Sequence, residues 1–374
     1  MLELDIRPCD PLVSLLSEKQ YDLPERCMWG FVTAFVVALI IGKPIIKALL
    51  KHQVRQVFRT KQQVRDLATL HGHKDGVPTM GGIIIALASF VAVAIWASFN
   101  DLVITSLLVY FLCSLLGAAD DILKIIKGNS KGVTSRQKLC VQALITGFIF
   151  YIASQNPPIN NLLTHVRWKW FYDYFVDPQI AMAVIVVFYF CVIAGTSNAV
   201  NLTDGIDGLA IVNIALCFVS LAVCAFYSSN VNISRETMLS YIAGSTELAV
   251  LCTCFAGGCF GFGIFNIHPA SIFMGDIGSI GLGGLLAIVA CLLRLPFILL
   301  AVGIIFVIEA LSVMLQVTSK KVFKRKVFLM APLHHHFELK GFLESEIVKA
   351  AFCLQVICIL ITLFVVFYGY AGSH

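Results

Sequence analysis

Five aspartates sit in short polar connections between long apolar runs: Asp120-Asp121, then Asp204 and Asp207 in NAVNLTDGIDG, then Asp276 in SIFMGDIGS. A charged side chain at a bilayer centre costs roughly 2.5–3.5 kcal/mol on insertion scales and marks function by default. Grouped carboxylates of this kind suit Mg2+, which is held by one or two carboxylates together with phosphate oxygens. Asp120-Asp121 is expected to end a helix, where the negative C-terminal dipole disfavours an acid pair unless a cation is near. Lys124 and Lys127 could supply that cation, and so could a metal. Asp276 is expected at a helix start, where the ordinary role of an aspartate is capping. Asp204 and Asp207 flank Gly205 in a tight turn, one expected to cap the following helix and the other left for a ligand.

Lys74, in HGHKDGVPTMGG, lies a few residues before an expected helix start that small residues open to close approach. Unpaired N–H groups there attract phosphate, which makes Lys74 a phosphate-binding candidate rather than one more solvated lysine. His334, His335 and His336 fall in APLHHHFELKG. Adjacent histidines do not share one helix face, so donors to phosphate or sugar oxygens suit them better than a three-histidine metal site. The preceding KKVFKRKVF mixes basic residues with valine and phenylalanine, as either positive-inside anchoring or attraction of an anionic lipid head would require. Glu309, within an apolar run, is expected to be a structural acid bonded to a neighbouring helix, with Gln316 further along reaching the polar side.

The elements that carry these residues are membrane helices. The chain is 59% apolar and 13% charged, with a mean hydropathy of +0.88, against the roughly 25% charged of an ordinary soluble domain. Ten apolar runs are long enough to cross about 30 Å of hydrocarbon: 27–50, 80–99, 102–119, 138–154, 180–197, 209–227, 247–265, 278–293, 297–318 and 348–370. We read an all-α polytopic membrane protein, with residues 1–26 as an extracytoplasmic leader that is not a cleaved signal peptide and 27–374 as one helical domain. The 13 cysteines form no CxxC pair and fall mostly in apolar runs, which fits free thiols.

Orientation follows from Lys and Arg. Alternate connections, which include 43–76, 120–138 and 319–349, hold 20 of them, against seven on the other side. The basic side is therefore expected to be cytoplasmic with both termini outside. All five aspartates map to that same side although they took no part in the assignment. Acids, helix N-termini and basic loops together suit an anion with a divalent metal. Two phosphate dianions about 5 Å apart repel by roughly 13 kcal/mol at an effective dielectric of 20, so joining two phosphates demands this kind of counter-charge.

The stretches GVPTMGG, GAADD, GTSNAVNLTDGIDGLA, FNIHPASIFMGDIGS and APLHHHFELKG run in order from 74 to 341. In them the chain resembles the bacterial phospho-N-acetylmuramoyl-pentapeptide transferases, within the polyprenyl-phosphate N-acetylhexosamine-1-phosphate transferases. The NAVNLTDGxDG and MGDxGS patterns are specific to the superfamily, whereas HHHFELKG points to the muramoyl branch. The resemblance implies Mg2+-dependent transfer from UDP-N-acetylmuramoyl-pentapeptide to undecaprenyl phosphate at the bacterial plasma membrane. It implies Asp276 as metal ligand, Asp120 as the acid handling lipid phosphate, and Asp121 in support. It places Asn201, Asp204 and Asp207 on the nucleotide side, with Lys74 and Thr79 near phosphate and nucleoside. Asn266 and Phe273 would line a uridine pocket, and His334 and His335 would bind substrate oxygens. The chain departs from the family pattern at Val77, Ser197 and Ile206, none of which removes a charge. A homodimer is implied by the resemblance alone, and no nucleic-acid partner is expected.

Two rivals share the acids. An ion-coupled transporter would keep its acids near the midplane between broken helices, whereas here only Glu309 is deep. A sister transferase using UDP-N-acetylglucosamine differs chiefly by lacking the histidine stretch.

Overall fold

In a computed structural model the described residues are 22–52, 54, 76–128, 132–164 and 178–369. They form fourteen helices: α1 (Leu23–Lys51), α2 (Gly82–Trp96), α3 (Asp101–Lys127), α4 (Ser135–Ser154), α5 (Pro157–Thr164), α6 (Pro178–Thr203), α7 (Leu209–Ser228), α8 (Val231–Glu236), α9 (Ser245–Asn266), α10 (Gly275–Leu292), α11 (Ile298–Val302), α12 (Ile304–Val322), α13 (Leu333–Leu339) and α14 (Glu344–Tyr368). Eight of them, α1, α3, α4, α6, α7, α9, α10 and α14, are long and apolar enough to cross a membrane. Every apolar run of the sequence thus has its helix. The second is only 15 residues long, and the ninth is two helices instead of one.

The split falls at Gly303. Backbone groups freed inside hydrocarbon need partners from the protein, and here they find them on α14 and α7. Gln355 donates to the Val302 carbonyl and accepts from Ile305 N–H, while the Cys217 thiol also donates to Val302. A second correction concerns α3. The acid pair does not end it, because the helix runs on to Lys127 and stops at Gly128, whose left-handed φ of 57° closes it. Lys124 forms an i,i+4 ion pair with Asp120, and basic residues in the last turn offset the dipole.

Helices α9 and α10 form the centre. Their side chains are buried along nearly their whole length, and α1, α2 and α7 pack on α9 while α3 and α6 pack on α10. Glycine makes the close crossings, as small residues do between membrane helices. A Cβ on Gly257 would meet the Phe31 carbonyl oxygen at 2.2 Å, and one on Gly117 of α3 would meet the Asp276 carbonyl oxygen of α10 at 2.1 Å.

Helix ends gather at two poles. At one, Arg26 of α1 makes a two-pronged bond to Glu247 of α9 (2.9 and 2.6 Å) and donates to the Trp96 carbonyl that ends α2. Glu247 also accepts Ser98 N–H at 2.6 Å, just before α3. At the other pole lie the start of α2, the last turns of α3 and the start of α10, with the acids.

Candidate active site

The stretch before α2 builds the floor of the acid pole. Phe273 N–H donates to the Pro78 carbonyl, and Gly81 and Gly82 N–H donate to the Phe273 and Met274 carbonyls, all at 2.9 Å. These bonds lay GVPTMGG against FMGD and fix the first turn of α10. Gly275, at φ 75°, occupies the left-handed region that only glycine enters without strain, and a Cβ there would strike Asp121 Oδ2, Thr79 Oγ1 and Met80 N within 3.0 Å. Thr79 is thus buried at the edge of the cluster, its N–H bonded to Val54.

Asp120, Asp121 and Asp276 are all buried, and each offers a carboxylate oxygen within 4.8 Å of the others. Two ammonium groups stand among them. Lys124 Nζ is 2.5 Å from Asp120 Oδ2 and 3.1 Å from Asp276 Oδ1. Lys138 Nζ is 3.1 Å from Asp120 Oδ2 and 2.6 Å from Asp276 Oδ2. Asn201 Nδ2 donates to Asp276 Oδ1 at 2.9 Å and to Ser279 Oγ at 2.8 Å, so it orients the α10 carboxylate. Asp121 Oδ2 accepts Ile277 N–H at 3.1 Å, at the open N-terminus of α10. Asp120 Oδ1 accepts Val133 N–H at 2.5 Å, which tethers the approach to α4.

Lys138 escapes a reading of the sequence, where it is one more basic residue of a connection. The signal for it was Thr134-x-x-Gln137, a capping box that starts α4 at Ser135 and sets Lys138 in the first turn. Lys74 lies outside the described residues.

Neither aspartate of the 204–208 turn caps α7, contrary to expectation; Gly208, at φ 83°, holds the cap position without a side-chain bond. Asp207 turns instead to the 266–272 loop, where Oδ2 accepts Ala270 N–H at 3.0 Å and faces His268 Nδ1 at 3.2 Å. Its own N–H donates to Glu344 at the start of α14. Asp204 is half-buried. Burial, with the negative charges of Asp276, Asp121 and Asp207, raises its carboxyl to about 8 against the pull of Gly275 N–H. The turn therefore belongs electrostatically to the acid cluster. Asn266 is buried and donates to the Ile272 carbonyl at 2.9 Å, closing the base of the same loop. Phe273 is half-buried beside it.

His334 is enclosed. Its N–H donates to Glu309 at 3.1 Å, its Nδ1 lies 3.2 Å from the same carboxylate, and its Nε2 lies against Gly205 of the acid turn. Glu309 therefore bonds a neighbouring helix, as expected for a deep acid. The His335 ring meets the His334 ring edge-on, at 61° with ring centres 4.2 Å apart, and pairs with Glu338 at 2.6 Å. His335 is the more exposed of the two.

The donor set fits a divalent metal. Asp120, Asp121 and Asp276 bring three carboxylate oxygens within 4.8 Å of one another, around two ammonium groups. All candidate ligand atoms are oxygens, as Mg2+ prefers. Helix N-termini and two lysines facing the same carboxylates can also receive phosphate oxygens.

Residues 102–294 match the glycosyl transferase family 4 profile. The matched segment contains Asp120, Asp121, Lys124, Lys138, Asn201, Asp204, Asp207 and Asp276, and ends before the histidine helix.

Proposed function

Because the chain belongs to glycosyl transferase family 4 and is a multi-pass membrane transferase of phospho-sugars to polyprenyl phosphate, we propose that it makes lipid I from UDP-N-acetylmuramoyl-pentapeptide and undecaprenyl phosphate. The observation that carries the chemistry is the convergence of Asp120, Asp121 and Asp276 with Lys124 and Lys138. The finer choice of sugar is supported by APLHHHFELKG, which resembles the muramoyl branch and packs its His334 ring against Gly205 of the acid turn.

In this reading a lipid-phosphate oxygen attacks the sugar-bearing phosphorus of the UDP-sugar. The bond from that phosphorus to the bridging oxygen breaks, and UMP leaves with both its electrons. The lipid phosphate is a dianion, so positioning and charge cancellation outweigh any need for a base. Lys124 and Lys138 shield the approaching phosphates, Asn201 holds Asp276 in one orientation, and Ile277 N–H holds Asp121. Asp276, with Asp120 and Asp121 beside it, would hold Mg2+, which when bound supplies charge cancellation at the diphosphate oxygens. Lys74, Thr79, Asn201, Asp204, Asp207, Asn266 and Phe273 are assigned to the nucleotide, and His334 and His335 to substrate oxygens. A bacterial plasma-membrane location and a homodimer belong to the same proposal.

The test is a product assay on purified protein with undecaprenyl phosphate and either UDP-N-acetylmuramoyl-pentapeptide or UDP-N-acetylglucosamine. The muramoyl substrate is expected to win by at least about 100-fold in kcat/KM, or 2.7 kcal/mol. Comparable values for both sugars would move the chain to the sister branch.

A further inference from the structure

Between Glu309 and Glu338 the chain has no acid, yet Lys320, Lys321, Lys324, Arg325 and Lys326 fall within seven residues of one another. All five are exposed, and none forms an ion pair among the described residues. Large apolar side chains alternate with them and are equally bare: Val322 at 64%, Phe323 at 69%, Val327 at 54% and Leu329 at 52% exposure. Water around a soluble loop does not reward that arrangement. The exposed apolar surface continues up α12 through Leu311, Met314 and Leu315.

The segment is also held in shape. Gln316, buried on α12, accepts Val327 and Phe328 N–H and donates to the Phe328 carbonyl, each at 3.0 Å. Ser319 Oγ donates to the Arg325 carbonyl at 2.9 Å. Leu329 N–H donates to His336 Nδ1 at 3.1 Å. The backbone is folded back on the end of α12 before any partner arrives, so docking costs little ordering entropy.

We propose that residues 320–329 form a preshaped docking surface for anionic phospholipid headgroups of the bilayer, with Val322, Phe323, Val327 and Leu329 entering the acyl boundary and the five cations meeting the phosphates. Charge complementarity and continuity with the exposed apolar side of α12 select the membrane over a soluble partner. This surface is separate from the acid cluster and does not depend on which sugar the protein uses.

The test uses the full chain carrying Phe323→Trp, reconstituted in phosphatidylcholine bilayers with an equal fraction of acyl-brominated phosphatidylglycerol or acyl-brominated phosphatidylcholine. Fluorescence is read as the difference from the protein without that substitution. Brominated phosphatidylglycerol is expected to quench at least about threefold more, because several basic residues add their attraction at the surface. The excess should vanish at high salt and when all five basic residues become Gln, and a Lys324→Gln/Lys326→Gln pair should halve it if the fivefold variant does not fold. Equal quenching by the two lipids overturns the anionic preference, and no quenching by either overturns membrane docking. An excess that survives the substitutions assigns it to other residues and overturns the proposal. Loss of the excess on adding millimolar glycerol 3-phosphate would show a site for free phosphate, which also overturns it.

Discussion

The ammonium of Lys138 lies 2.6 Å from the Asp276 carboxylate, joining the first turn of α4 to the first turn of α10. The same nitrogen reaches Asp120 at 3.1 Å, so one lysine ties three helices at the acid pole. Replacing it with Gln keeps the length and removes the charge. Each charged hydrogen bond is worth about 1.5–3 kcal/mol, so we expect Lys138→Gln to lower kcat/KM by about 10- to 100-fold. Initial rates with the preferred sugar check this, and a near-normal rate would remove Lys138 from the site.

Asp276→Asn is expected to abolish turnover while the protein stays folded, since the change opens no cavity and keeps the Asn201 and Ser279 surroundings filled. Asp120→Asn should be similarly inactive. The measurement is product formation at saturating Mg2+ alongside thermal unfolding. Retained activity would show that Asp276 is not a metal ligand.

Gly117→Ala places a methyl where the Asp276 carbonyl oxygen already stands, at 2.1 Å, and neither backbone can yield without moving its helix. Overpacking of this kind costs roughly 1–3 kcal/mol. We expect a lower unfolding temperature together with loss of activity, because the displaced group is the α10 turn that carries Asp276. An unchanged melt would show that α3 and α10 stand further apart in solution.

Cysteine labelling tests the sidedness drawn from the basic residues. In a cysteine-replaced background in intact cells, Asn230→Cys and Asn161→Cys should react with an impermeant reagent, and Lys320→Cys should be protected until the membrane is opened. Labelling of Lys320→Cys from outside would invert the orientation and put the acid pole in the wrong compartment for a cytoplasmic sugar nucleotide.

Much of this was legible in the sequence because hydrophobic length is a local property, and each of the ten apolar runs has a helical counterpart. Departures arise where a distant residue decides. The run 297–318 reads as continuous, and the break at Gly303 is made tolerable by distant residues, Gln355 lying 50 residues beyond Ile305 and Cys217 lying 85 before Val302. Asp207 looks like a cap until the 266–272 loop offers it Ala270 N–H. Lys138 looks like an anchor until α10 brings Asp276 beside it. His334 and Glu309 were both visible, one as a donor to substrate and the other as a structural acid. That they bond each other across 25 residues was not, and it leaves the His334 ring enclosed. Sequence spacing reveals partners within a turn or two of helix and misses those the tertiary fold supplies.

The contact of Gly117 with the main chain of Asp276 has an evolutionary side. Where two backbones touch, a side-chain change can force them apart but cannot bring them closer, so the spacing between the α3 acids and the α10 acid stands at its lower limit. On the proposed function, heritable variation is left to act on what is gripped beyond the diphosphate. The acid pole itself is closed to gradual narrowing, whatever cargo the site takes.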